Sequence, residues 1–223
     1  MRVNKGLMIA ATFDPTKRTS LITVADMCRK IEENSISLPL YQRDISWTLQ
    51  KCIDLLNYQL WGKAPVSPIS INVINTVDSA VPQVSFIDRE IISTIERGQY
   101  SVVDGQQRLT TNYKAYCNHD DFRNIVLDLG KGEFTEVRDS IRSNQIPVGI
   151  LLNKEDTKLF EYTKAKSALG SADVLSVLLQ VRSKMRNYNY TLNSAEDLTE
   201  DEQIEWFEVL NNAGSRVSII QMR

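Results

Sequence analysis

The segment that most constrains this chain is Ser101-Val102-Val103-Asp104-Gly105-Gln106-Gln107-Arg108-Leu109-Thr110-Thr111. A β-branched run stops at Asp-Gly, where glycine permits a tight turn, and a helical pattern from about Gln106 to Tyr116 starts at once. Backbone N–H groups at a helix N-terminus lack intrahelical partners and favour an anion. Arg108 falls in the first turn, where its planar fork can grip phosphate oxygens. Gln106 and Gln107 can donate amide hydrogens or orient a water. Asp104 has two readings. It can hold a Mg²⁺ ion that is itself coordinated by phosphates, or it can simply cap the helix.

A second polar box, Leu38-Pro39-Leu40-Tyr41-Gln42-Arg43-Asp44-Ile45-Ser46-Trp47, lies where a strand gives way to a helix. Arg43 can grip phosphate, and Tyr41 or Trp47 can stack on a base. Equally, Tyr41 and Trp47 can pack in the core while Arg43 pairs with Asp44. The third box is Trp206-Phe207-Glu208-Val209-Leu210-Asn211-Asn212-Ala213-Gly214. Its period places Phe207 and Leu210 in the core, and Asn211 and Asn212 can either bond a ligand or cap the helix.

Between these boxes the pattern predicts a mixed α/β (α+β) chain. Thr23 caps a short helix to about Ile31, and Ser35–Tyr41 alternates as a strand. Thr48 caps a helix whose Leu49, Ile53, Leu56 and Leu60 form one apolar face. Strands are expected at Pro68–Asn75, Val81–Asp88, Tyr100–Val103, Ile125–Leu129 and Ile146–Leu152, with a short one at Asn187–Leu192. Helices are expected over Glu155–Leu169, over Ser171–Tyr188, and after Thr199, whose capping partner is Glu202. The resulting layout is an N-terminal extension (1–20), a mixed-sheet core (21–152) and a helical C-terminal portion (153–223).

Composition excludes several functions. The net charge of −2, from 26 basic and 28 acidic residues, is not the basic excess of a strong nonspecific nucleic-acid binder. Three cysteines without CxxC spacing argue against a disulfide framework or a structural zinc site, and fit a reducing, cytoplasmic setting. No stretch approaches the roughly 20 apolar residues of a membrane span. His119 is the only histidine, which rules out HExxH and multi-histidine metal sites within the chain; it reads as a surface or capping residue.

In their order, LPLYQRDISW, VVDGQQRLTT and FEVLNNAGSRVS, the three boxes resemble the N-terminal domain of GmrSD-type restriction proteins. The second box matches without interruption from Asp104 to Thr111, and the likeness runs from about Leu21 to the last residue. The resemblance implies a ParB/sulfiredoxin-like fold in which a Gly-x-x-Arg turn, here Gly105 to Arg108, cradles phosphates and Arg43 supplies the upstream arginine. It implies a nucleoside triphosphate as ligand or substrate, with Mg²⁺ as a candidate cofactor. Asp104, Gln106, Gln107 and Arg108 are then the catalytic candidates, with Asp104 also the metal ligand. Tyr41, Gln42, Arg43, Gly105, Thr110, Asn211 and Asn212 are the nucleotide- and phosphate-binding candidates. The expected partners are DNA or a separately encoded nuclease subunit, because one histidine cannot build the family's His-Asn-His nuclease. A non-catalytic DNA- or protein-binding regulatory or structural module, of the kind a phage could encode, is the competing expectation, and the resemblance sets either reading in a bacterial or phage-infected cell.

Overall fold

In a computed structural model of the chain, residues 3–13, 18–42 and 47–212 are described. The elements run α1 (Lys5–Ala10), β1 (Arg18–Thr23), α2 (Val24–Glu32), β2 (Ile36–Pro39), α3 (Leu49–Trp61), β3 (Ile69–Ile74), β4 (Gln83–Val84), β5 (Gln99–Asp104) and α4 (Gln106–Tyr116). They continue with β6 (Ile125–Asp128), β7 (Glu133–Glu136), β8 (Gln145–Pro147), α5 (Val148–Leu151), α6 (Asp156–Ala165), α7 (Ala172–Arg186), β9 (Asn189–Glu196) and α8 (Glu200–Asn212).

Six strands form a mixed sheet in the order β1-β9-β3-β5-β2-β4. β3 pairs antiparallel with β5 and parallel with β9, and β5 pairs parallel with β2. Five of the six β3 residues are buried. The strand is thus covered on both sides: Ile69 and Ile71 alternate with the buried polar residues Ser70 and Asn72, and Asn72 Oδ1 accepts from Leu198 N–H. A separate antiparallel sheet has the order β7-β6-β8.

Two apolar cores result. One joins the large sheet to α2 through residues such as Met27, Ile31, Ile69, Val102 and Leu192. The other joins α3, α5, α6, α7 and the small sheet through Leu56, Phe134, Ile146, Leu151 and Leu178. Burying each such side chain contributes about 1.5–3 kcal/mol. α4 serves both: Leu109 and Tyr116 enter the first core and Ala115 the second. The helix that follows the Asp-Gly turn is thus clamped from two sides.

The expected caps are present. Thr23 Oγ1 accepts from Asp26 N–H, and Thr48 Oγ1 from Lys51 N–H. Thr199 and Glu202 form a reciprocal box, Glu202 N–H to Thr199 Oγ1 and Thr199 N–H to Glu202 Oε2. Each is worth about 1 kcal/mol. His119 accepts from Asp121 N–H through Nδ1, so it is a capping residue.

The structure differs from expectation in four places. Ile146–Leu152 is not one strand: β8 ends at Pro147 and α5 begins at Val148. Pro147 has no N–H to continue a ladder, and its φ of −57° leads into a helix. The Val81–Asp88 run shrinks to the two residues of β4, closed by a bridge from Val84 to Ile91. The helical C-terminal portion is there as α6, α7 and α8, but β9 returns from it to the interior of the large sheet. At the other end, Arg18–Ser20, read as part of the N-terminal extension, pair with β9 through β1 at the edge of the large sheet with their side chains exposed. Among the described residues, no helix is long and apolar enough to cross a membrane.

Candidate functional site

Gly105 explains why the turn carries this sequence. Its φ is +101°, in the left-handed region that favours glycine. A Cβ there would collide with Ile69 Cδ1 and lie 3.1 Å from Arg108 Nη2. No side chain caps α4, so its first-turn N–H groups lack a side-chain acceptor. Asp104 is therefore not the helix cap. Its Oδ2 accepts from Arg108 Nη2 at 3.0 Å.

Arg108 is only 12% exposed along its side chain. Besides Asp104 it donates to the backbone carbonyls of Ser67, through Nη1, and Pro68, through Nη2 at 3.2 Å. Its guanidinium thus ties the start of α4 to the segment entering β3.

The glutamines weld the first two boxes together. Gln42 Nε2 donates to Val103 O at 2.8 Å and Val102 O at 3.1 Å. In return, Gln107 Oε1 accepts from Trp47 N–H at 3.0 Å. Gln106 has no hydrogen-bond partner among the described residues and lines the same opening.

That opening is a cleft of about 1360 Å³. Its floor is Val103–Arg108. It is also lined by Trp47, which precedes α3, by the α3 side chains of Lys51, Asp54 and Tyr58, by the α8 side chains of Ile204, Phe207, Glu208 and Asn211, and by Pro65–Ser67. Tyr41 and Gln42 also line it. The Tyr41 hydroxyl donates to Gln203 Oε1 at 3.2 Å, and burial, with the Glu200 charge adding, pushes its pKa up to about 12. Tyr41 stays a neutral hydroxyl at physiological pH.

Of the residues expected from the sequence, Tyr41, Gln42, Asp104, Gly105, Gln106, Gln107, Arg108 and Asn211 meet in this one cleft. Asn211 also donates to Phe207 O at 2.8 Å. Thr110 does not line it, and its hydroxyl is buried without a partner among the described residues. Arg43 and Asp44 lie outside the described residues, as does Gly214, and so does the side chain of Asn212. Phe207 and Leu210, expected in the core, are each 40% exposed. Trp47 packs against the core that includes α3, as one of its two readings expected, and also lines the cleft.

Two contributors were not foreseen. Arg89, a non-glycine residue at φ +53°, donates through Nη2 to Gln42 O at 2.6 Å and Leu40 O at 3.4 Å, holding the Tyr41–Gln42 backbone from behind. Nothing in its local sequence signals this. The α3 lining was legible: Trp47, Lys51, Asp54 and Tyr58 repeat the 4-3-4 spacing of the apolar Leu49, Ile53, Leu56 and Leu60, displaced to another face of the helix.

No group of three or more histidine, cysteine, aspartate or glutamate side chains comes together as a metal site among the described residues. The donor set fits a different mode, in which Mg²⁺ takes one carboxylate and fills its octahedron with phosphate oxygens and water. Asp104 Oδ1, without a partner among the described residues, could serve as such a ligand at the α4 turn.

A protein-family model described as the N-terminal domain of the GmrSD restriction endonuclease matches residues 24–222. The match contains every residue of the cleft. No curated protein matches the chain.

Proposed function

The chain belongs to the family of GmrSD restriction endonuclease N-terminal domains, which relates it to modification-dependent restriction proteins, and from that premise we propose that its cleft binds a nucleoside triphosphate with the phosphates seated at the start of α4. The observation that carries this reading is the convergence of the polar boxes around an uncapped helix N-terminus at the floor of a large cleft. Free N–H groups and the helix dipole favour a phosphate there. Gln106 is the side chain best placed to add an amide donor. Arg108 contributes positive charge from beneath, while most of its donors hold Ser67, Pro68 and Asp104.

Hydrolysis is the further step of this reading. Mg²⁺, held by Asp104 and the phosphates, would supply the charge neutralisation that phosphoryl transfer needs. The chain's own residues hold the turn rigid and present Gln106 to the ligand. Because Gln107 Oε1 is occupied by Trp47 N–H, the role of orienting a water falls to Gln106 rather than to both glutamines. The second reading, a ligand-sensing module that regulates DNA binding or a nuclease partner, draws on one observation: Arg108 is committed to backbone carbonyls, as in a structural clamp.

Thermal denaturation with each of the four ribonucleoside triphosphates, with and without Mg²⁺, tests binding. A ligand at a hundred times its dissociation constant adds about 2.7 kcal/mol of stability. Asp104→Asn keeps an oxygen that can accept from Arg108 and removes the charge. It is expected to bind nucleotide and lose turnover. Equal turnover by Asp104→Asn and wild type would remove Asp104 from the chemistry. Binding without turnover by either protein would select the sensing module.

A further inference from the structure

Three stretches that line the cleft, α3, Pro65–Ser67 and the start of α4, are tied together by two tyrosines that do not line it. Tyr188 precedes β9, and Tyr190 lies within that interior strand of the large sheet. Their rings meet edge to face, with centroids 5.7 Å apart. The Tyr188 hydroxyl accepts from Val66 N–H at 3.1 Å. The Tyr190 hydroxyl accepts twice, from Gln59 Nε2 of α3 at 2.9 Å and from Asn112 Nδ2 of α4 at 2.8 Å. Tyr190, Gln59 and Asn112 are all buried.

The same bonds close a circuit through the α4 turn. Asn112 Nδ2 also donates to Arg108 O at 2.9 Å, and the Arg108 side chain donates to Ser67 O and Pro68 O, next to Val66. The path runs from Arg108 to the segment entering β3, through Tyr188 and Tyr190 to Asn112, and back to Arg108. Hydrogen bonds in a water-free interior are strong, and a buried network that satisfies its members holds one arrangement. Burial pushes the Tyr190 hydroxyl well above the ordinary tyrosine value, so it stays neutral and the circuit does not titrate at physiological pH. Phenylalanine fills the same volume; what the hydroxyl adds is the joint between α3 and α4.

We propose that Tyr190 is a positioning residue of the cleft: its hydroxyl fixes the α4 turn against α3 and, with Tyr188, against Pro65–Ser67, so that the phosphate seat is formed before the ligand arrives. This rests on the nucleotide reading above. A seat that is already ordered does not lose conformational freedom on binding, and that saving appears as affinity. Tyr190 acts through Asn112 and Gln59 and makes no contact with the ligand.

Two measurements on the full chain test this. One is amide hydrogen exchange at Gln106–Leu109 without ligand; the other is calorimetric titration with the four ribonucleoside triphosphates and Mg²⁺. Tyr190→Phe is expected to speed exchange at the α4 turn and to weaken triphosphate binding about tenfold. Ile146→Val, a cavity in the other core, controls for general loss of stability and is expected to do neither. Should Tyr190→Phe fail to fold, Tyr188→Phe carries the test, because it removes only the acceptor of Val66 N–H; it is expected to speed exchange at Val66 and Ser67 and to weaken binding in the same direction. Unchanged exchange and affinity in the folded tyrosine variant, or equal losses in Ile146→Val, overturn the positioning role. If the wild-type chain binds no triphosphate, the nucleotide reading fails, and the exchange rates alone decide whether Tyr190 holds the turn.

Discussion

At the scale of single residues, Gly105 and Arg108 show how much of a binding motif is spent on holding its own shape. Gly105→Ala combines two costs, the positive φ and the collision with Ile69 Cδ1. The backbone part is about 1 kcal/mol or more. Ile69→Val removes the colliding atom and costs about 0.5–1.5 kcal/mol alone. Gly105→Ala is therefore expected to be less damaging in the Ile69→Val background, a coupling that urea unfolding of the four proteins reads directly. Strict additivity would mean that the left-handed backbone alone demands glycine. Arg108→Ala leaves the Ser67 and Pro68 carbonyls and Asp104 without their donor. Its expected destabilisation is about 1.5–3 kcal/mol, so weakened ligand binding in this variant cannot by itself be credited to a lost phosphate contact. Gln106→Ala is the cleaner probe, since it breaks no hydrogen bond among the described residues and should lower nucleotide affinity with the unfolding midpoint unchanged.

At the scale of elements, the strand–turn–helix was legible because three local signals agree: a β-branched run, Asp-Gly, and a helical period beginning at Gln106. α4 runs over Gln106–Tyr116 as expected. What holds the turn was not legible, because the partners of Arg108 lie 41 and 40 residues away at Ser67 and Pro68, and chain separation carries no local pattern. Ile146–Leu152 was misread because a short apolar run has no period to separate strand from buried helix. Phe207 and Leu210 were misplaced for a related reason: periodicity finds the apolar face of α8 but not what covers it. The exchange between boxes, Gln42 to β5 and Trp47 to Gln107, yields a prediction at this scale. Gln107→Glu keeps Oε1 for Trp47 N–H and adds a negative charge to the cleft floor. It is expected to melt within a few degrees of wild type while losing about tenfold or more in triphosphate affinity. Gln107→Ala should lower the melting temperature, because Trp47 N–H then lacks its acceptor. Wild-type affinity in Gln107→Glu would mean that phosphates do not sit at this turn.

For the molecule as a whole, acid is expected to act on the small sheet through Asp128. This carboxylate is 3% exposed at the end of β6. Gln145 Nε2 donates to its Oδ2 at 2.7 Å, and Gly130 N–H, Lys131 N–H and Asn144 Nδ2 donate to its Oδ1. The Gln145 bond, followed by the two backbone N–H groups, holds its pKa below the ordinary carboxylate value, against the opposing effect of burial. A pKa lowered by folding means that the unfolded chain binds the proton more readily. The stabilisation is complete above the unfolded value of about 3.9 and is lost as pH falls through the lower folded value. Asp156, held down by its hydrogen bond from Arg182, and Asp121, by that from Lys114, shift in the same direction, so their losses add to it. The urea midpoint is thus expected to drop below about pH 4. Asp128→Asn presents an amide to donors on one side. It should cost about 1–3 kcal/mol at pH 7 and flatten the acid limb, because one group that takes up a proton on unfolding is gone. Near-UV circular dichroism and urea titration at several pH values read both effects. An Asp128→Asn protein with the full wild-type acid slope would place the linkage on the other carboxylates and leave Asp128 a purely neutral contributor to the β6–β7 turn.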